Sequence, residues 1–214
     1  FCSKVEIFLK LNQIPYESKA IQNPTQFPKK KLPVIIDDGQ TICDSHFIIE
    51  HLIKKKSLNI DEHLNEKDKS LGFAYTKMVE EFLYWAIVHE RWFIDENFKK
   101  LKASYFNKVP NVMRNFIAGM IRRSISKSAF GHGMGRHKTE EVMSLGKNAI
   151  HHLSVFLEEK PYLLGDKVSS WDASIYGFVA SLLHSPLSVE LKKHTQEYLN
   201  LIEYDKRLFN EISR

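Results

Sequence analysis

Asp44 and Ser45 are the side chains of this sequence best placed to hold a ligand. They stand just before Phe47-Ile48-Ile49 and Leu52-Ile53, apolar residues at helical spacing, so Ser45 reads as a helix N-cap. A helix start with free backbone N–H groups and a serine hydroxyl can seat a small carboxylate. The same geometry also serves an ordinary cap. Ahead of the pair runs Lys31-Leu32-Pro33-Val34-Ile35-Ile36-Asp37-Asp38-Gly39-Gln40-Thr41-Ile42-Cys43. Proline opening a β-rich run suits the first residue of a strand, where no ladder donor is needed. Asp38-Gly39 is a strong signal for a two-residue hairpin, because both turn positions need positive φ. Strand, turn, strand and helix would bring the proline, the acid and the serine into one compact segment.

Other reactive residues carry weaker signals. Cys2 falls at the start of a helix, where the dipole and free N–H groups favour a thiolate. Ser3 is the neighbouring hydroxyl, and its plainer role is a residue of the first helical turn. Cys43 lies in a strand-like run and reads as a small buried hydrophobe. His132, Arg136 and His137 flank the glycines of Gly131-His132-Gly133-Met134-Gly135. They could meet an anion, but a helix C-cap followed by a new helix explains the glycines as well. Their spacing is no zinc pattern, and His89-Glu90-Arg91 lacks the second histidine of a zinc-protease helix.

These residues must be positioned by a chain of 214 residues, 43% hydrophobic and 27% charged, enough for a real core. The net charge is +5. Lys29-Lys30-Lys31, Lys54-Lys55-Lys56, Lys99-Lys100 and Arg122-Arg123 are short and scattered, which reads as solvated surface, with no nucleic-acid motif. Two cysteines make no disulfide framework and suggest a reducing, cytoplasmic setting. No apolar run reaches the length of a membrane span.

The coarse pattern predicts a helix over 2–13 with Val5, Phe8 and Leu9 on one side, a strand over Tyr16–Ile21, then the hairpin and helix just described. Polar residues 57–65 read as a linker between residues 1–56 and an all-helical 66–214. Phe73, Met78, Phe82, Trp85, Ala86 and Trp92 predict one long helix with a broad apolar face. Further helices follow to the C-terminus.

The segment from Lys31 to Ser45 resembles the glutathione site of the glutathione-transferase superfamily. Leu32-Pro33 looks like its pre-proline loop, where the proline is cis. The resemblance implies that the Leu32 backbone pairs with the cysteinyl part of glutathione and that Asp44-Ser45 holds the γ-glutamyl end. Lys31 would meet the glycine carboxylate. Ser169-Ser170-Trp171-Asp172 matches the capping box of a buried helix in the family's second domain, with Ser169 capping the helix and Asp172 reaching back to the Ser169 N–H. That box is structural. Phe1-Cys2-Ser3-Lys4-Val5-Glu6, Gly39–Ser45 and Gly131–His137 together are similar to the failed-axon-connections/metaxin-like group.

The resemblance implies an α+β thioredoxin-like N-terminal domain followed by an all-α domain. It also implies a strand before Phe1, between those at 16–21 and 33–36, so the chain is expected to continue upstream. The thiol-activating residue would then fall before Phe1, with Cys2 and Ser3 as the candidates within the sequence. The expected function is conjugation of glutathione to an apolar electrophile, as in detoxification, with glutathione as co-substrate and no metal. Homodimers are common in the superfamily, and no interface is legible here. Two other readings stand beside it: a non-catalytic, metaxin-like interaction module, and a glutathione-dependent thiol oxidoreductase.

Overall fold

Asp38 and Gly39 take φ of 48° and 79°, and the chain reverses there. The reversal joins β1 (Val34–Asp37) to β2 (Gln40–Cys43) in an antiparallel pair with Val34 opposite Cys43 and Asp37 opposite Gln40. The computed structural model describes residues 1–21, 23–107 and 109–213, without the side chains of 111 and 112. Helix α1 (Cys2–Leu11) precedes the hairpin and α2 (Ser45–Lys56) follows it. Val5, Phe8 and Leu9 of α1 and Ile48, Ile49 and Leu52 of α2 are buried, and the two helices pack together. Asp37 fastens the hairpin to α2, accepting from Lys55 Nζ at 2.8 Å and meeting His51 Nε2 at 2.7 Å. The hydrogen bond from the Lys55 ammonium, then that from His51, holds the Asp37 carboxyl below its usual range.

Helix α3 (Glu66–Lys77) leads through a π-helical segment, Met78–Leu83, into α4 (Tyr84–Trp92). Then come α5 (Asp95–Tyr105), α6 (Asn111–His132), α7 (Thr139–Leu157), α8 (Ser170–Leu183), α9 (Glu190–Gln196) and α10 (Leu199–Ile212). Contacts divide the chain into two compact units. One comprises residues 1–76, 159–177 and 203–214; the other comprises 77–158 and 178–202. In the first, Gly72 of α3 leaves room for the Trp171 ring, because a Cβ there would lie 2.7 Å from it. In the second, Val79, Leu83, Ala86, Ile150, Leu153 and Leu191 are among the buried side chains.

Two expectations change. Residues 16–21 form no strand, and the sheet of the described residues has two strands. An extended segment becomes a strand only with a ladder partner, and 16–21 has none among them. The long helix expected beyond residue 66 is interrupted by the π segment, and Phe73 and Phe82 are 50% and 46% exposed. A wider turn changes the phase of the helix, so a single 3.6-residue stripe cannot run through it.

Candidate functional site

The hairpin register sets the geometry of the site. A two-residue loop closes on a hydrogen-bonding pair, here Asp37 and Gln40. Alternation along an antiparallel ladder then makes Ile35–Ile42 and Pro33–Asp44 bonding pairs as well. The Asp44 N–H does donate to the Pro33 carbonyl, at 3.3 Å. Leu32, one residue earlier, lies beyond the last bonding pair of this ladder. Among the described residues neither its N–H nor its carbonyl has a hydrogen-bond partner. The Leu32–Pro33 peptide is cis, and Pro33 is buried. The outcome is a short backbone edge able to pair with another extended chain.

Asp44 and Ser45 stand at the other side of this opening. Asp44, and not Ser45 as the sequence suggested, is the N-cap of α2: its shorter reach to the second helical residue lets it accept from the His46 N–H at 2.9 Å, and Ser45 is the first residue of the helix. Its φ of +83° is rare for a residue with a side chain and costs on the order of 1–3 kcal/mol. Ser45 is 5% exposed, and its hydroxyl has no hydrogen bond among the described residues. Lys29 brings a cation to the pair: its Nζ lies 3.9 Å from Asp44 Oδ2 and 4.2 Å from the centre of the Phe47 ring. This lysine was not legible as a site residue, because the segment of 23–33, rich in turn formers, gives no periodicity from which to place side chains. Lys31 is exposed and makes no contact with Asp44 or Ser45 among the described residues.

Cys2 and Ser3 are exposed in the first turn of α1, and Cys43 is buried at the end of β2. Asp172 accepts from the Ser169 N–H at 2.8 Å, the Ser169 hydroxyl at 2.7 Å, the Leu163 N–H at 2.8 Å and the Tyr204 hydroxyl at 2.8 Å. Ser169 and Asp172 are fully buried. Asp61, from the polar segment before α3, accepts from the N–H and hydroxyl of Ser170, the first residue of α8. The glycine-rich motif is a tight junction. Gly133 has a φ of 109°, a Cβ on Gly135 would lie 2.6 Å from the Phe130 nitrogen, and His132 lies against Trp85 with centroids 4.9 Å apart.

His89 and Glu90, which form no zinc-protease pair, are both buried. Glu90 accepts from the N–H groups of Glu190 and Leu191 at 2.6 and 3.3 Å, at the start of α9. Burial pushes its carboxyl up, against those hydrogen bonds. Arg91 donates to Ser181 and Ser188. No group of three or more His, Cys, Asp or Glu among the described residues is arranged to hold a metal.

This chain matches the family profile of the glutathione S-transferase N-terminal domain over residues 1–98 and that of the glutathione S-transferase C-terminal domain over residues 146–208. It is 32% identical to an isoprene-epoxide–glutathione S-transferase of Rhodococcus sp. (strain AD45), covering 97% of this chain and 90% of that one. The chain belongs to the glutathione S-transferase family. It is also 29% identical to Failed axon connections of Drosophila melanogaster (97% of this chain, 53% of that protein) and 27% identical to human Metaxin-1 (92% and 44%). It thus spans about half the length of these two relatives and falls in the metaxin-like branch of the family. Its fold is similar to that of a delta-class glutathione transferase from Nilaparvata lugens, with a TM-score of 0.59 and 13% identity over 98% of this chain and 83% of that one. No helix of the described residues is long and apolar enough to cross a membrane.

Proposed function

We propose that this protein binds glutathione along Leu32, Asp44 and Ser45 and conjugates its sulfur to an apolar electrophile. The observation that carries the reading is the Leu32 backbone, unpaired among the described residues, one residue before the Pro33 that pairs with Asp44 at the start of α2. An extended tripeptide offers the N–H and carbonyl that such an edge lacks. The γ-glutamyl carboxylate would accept from the Ser45 hydroxyl at the start of α2, where the helix dipole favours negative charge. Lys29 balances the Asp44 carboxylate beside it, and Lys31 on the same loop is the candidate for the glycine carboxylate.

In the conjugation, the glutathione thiol releases its proton to solvent. The thiolate forms a C–S bond to an electrophilic carbon, and the electron pair leaves on the group displaced or opened, which takes a proton from water. A donor that favours the thiolate lowers the cost of the first step. Cys2 and Ser3, exposed at the start of α1, are the candidates in this sequence. The Rhodococcus relative, named for an epoxide and glutathione, supports this class of electrophile.

The test is calorimetric titration with glutathione of the protein and of the Asp44→Ala/Ser45→Ala variant, with folding checked by circular dichroism. Saturable binding weakened at least tenfold in the variant is expected. No binding up to several millimolar by folded protein refutes the reading. The likeness to Failed axon connections and Metaxin-1 then favours the second one, a partner-binding module that has kept the fold without the ligand.

A further inference from the structure

The basic residues are less evenly spread than their short runs suggest. Between Asn97 and Thr139 the sequence has ten Lys/Arg and no Asp or Glu. Since the whole chain carries 31 Lys/Arg and 26 Asp/Glu, everything outside this stretch holds 21 against 26. A protein of net charge +5 is therefore an acidic body bearing one strongly cationic segment. That segment is most of α5, all of α6 and the turn that follows.

Helix α6 concentrates the effect on one face. Met113, Phe116, Met120, Arg123, Lys127 and Phe130 recur at alternating steps of three and four, so they form a single stripe. All six are exposed: Phe116 by 69%, Phe130 by 59%, Met113 by 54% and Met120 by 48%. The opposite face is the one the fold uses. Ala118 and Ala129 are buried there. Arg122 is tied down, donating to the Phe93 carbonyl at 3.0 Å and to Asp95 at 2.8 Å. Arg123 and Lys127 have no ion-pair partner among the described residues. Lys102 of α5 donates to Asn115 of α6 at 2.6 Å. At the C-terminal end of the stripe, the Arg136 guanidinium lies 5.0 Å from the Phe130 ring centre.

We propose that this stripe of α6 seats the protein on an anionic lipid surface. Large exposed side chains in the first half of the stripe would enter the boundary between headgroups and acyl chains. Arg123, Lys127 and Arg136 would stay at the level of the phosphates. Charge decides among the occupants. A second copy of the stripe would set cations against cations if parallel, and cations against Met113, Phe116 and Met120 if antiparallel, so neither pairing supplies the cations with an anion. A nucleic acid would take the cations but leave Met113, Phe116 and Met120 in water. A lipid headgroup layer satisfies both halves. Docking lies along the surface and needs no spanning helix. The proposal is independent of the glutathione site, whose residues lie outside α6.

Co-sedimentation of the full chain with vesicles of phosphatidylcholine, with and without 30% phosphatidylserine, tests it. Binding is expected only with phosphatidylserine and is expected to fall steeply with added salt. Arg123→Gln/Lys127→Gln should weaken it by roughly 20- to 30-fold, about fivefold per cation removed. Phe116→Ser/Met120→Ser should weaken it comparably, and Phe116→Trp should shift its emission to the blue and be quenched by brominated acyl chains. All four positions are exposed, so the variants should keep the native circular dichroism. Three outcomes overturn the proposal: no phosphatidylserine-dependent binding; a dimer in sedimentation that Phe116→Ser/Met120→Ser dissolves, without vesicle binding; or duplex DNA binding that the apolar variant leaves intact while vesicle binding is absent.

Discussion

Replacing Asp172 by alanine should be among the most damaging changes in the chain, although it touches no candidate ligand. Its carboxylate is fully buried and accepts from four donors: the N–H groups of Leu163 and Ser169 and the hydroxyls of Ser169 and Tyr204. Alanine leaves all four facing an apolar void. The hydroxyls can rotate, but the N–H groups are fixed by the backbone. Each buried donor left unpaired costs about 1–3 kcal/mol, so the two N–H groups alone set a loss of roughly 2–6 kcal/mol. A whole domain has only ~5–15 kcal/mol of stability. Asp172→Asn keeps the volume and one accepting oxygen but turns an NH2 toward one set of donors, which places its cost in between. Tyr204→Phe removes a single donor and leaves the carboxylate with three, at about 1 kcal/mol. Urea unfolding followed by circular dichroism gives the three values. A loss below about 1 kcal/mol for Asp172→Ala, or equal losses for Asp172→Ala and Tyr204→Phe, would refute the argument that the box works by satisfying fixed backbone donors.

Two further predictions concern the helical unit of residues 77–158 and 178–202. Burial holds the His89 imidazole below its ordinary value of 6.5, and its Nε2 lies 3.1 Å from the Thr139 hydroxyl. The folded state thus binds fewer protons at His89 than the unfolded chain does. The resulting stability is present above pH 6.5 and is lost as pH falls from there through the folded value. His89→Gln should flatten that part of the urea midpoint profile, and an unchanged slope would refute the assignment. Gly135→Ala should destabilise by roughly 1–3 kcal/mol, since its Cβ would lie 2.6 Å from the Phe130 nitrogen and 2.7 Å from the Ala129 carbonyl carbon, neither of which can step aside. Gly131→Ala, two residues before the helix-ending Gly133, meets nothing within 4 Å and should be neutral or stabilising by up to ~1 kcal/mol. Equal thermal shifts for the two glycine variants would contradict this.

The features legible in the sequence are those that short-range chemistry decides. Asp38-Gly39 specifies its turn through two positive φ angles, and Asp44-Ser45 specifies the start of α2 through a cap within two residues. What was not legible depends on partners far along the chain. Nothing local in His89-Glu90-Arg91 names the partners of Glu90 and Arg91, whose hydrogen bonds go to residues about a hundred positions later, at the start of α9 and around 181–188. The π segment over Met78–Leu83 has no local signature, so Phe73 and Phe82 were placed on an inner face that the helix does not maintain. Lys29 reaches Asp44 through an irregular loop, where periodicity has nothing to say.

The candidate site also explains why a hairpin of four-residue strands suffices to build it. Three elements must agree: a free backbone edge at Leu32, a proline that turns the chain at residue 33, and the first turn of α2. None is specified by contacts with the others alone. The pairing of Pro33 with Asp44 joins them, and it follows from counting back from the Asp38-Gly39 turn. A register slip of one residue, with β2 held in place, would set Pro33 against Ser45 and turn β1 over, reversing its faces. The Leu32 backbone would then point toward β2, and its edge would be consumed by the ladder. The turn at Asp38-Gly39, which touches none of the candidate ligand residues, is therefore what keeps the edge open.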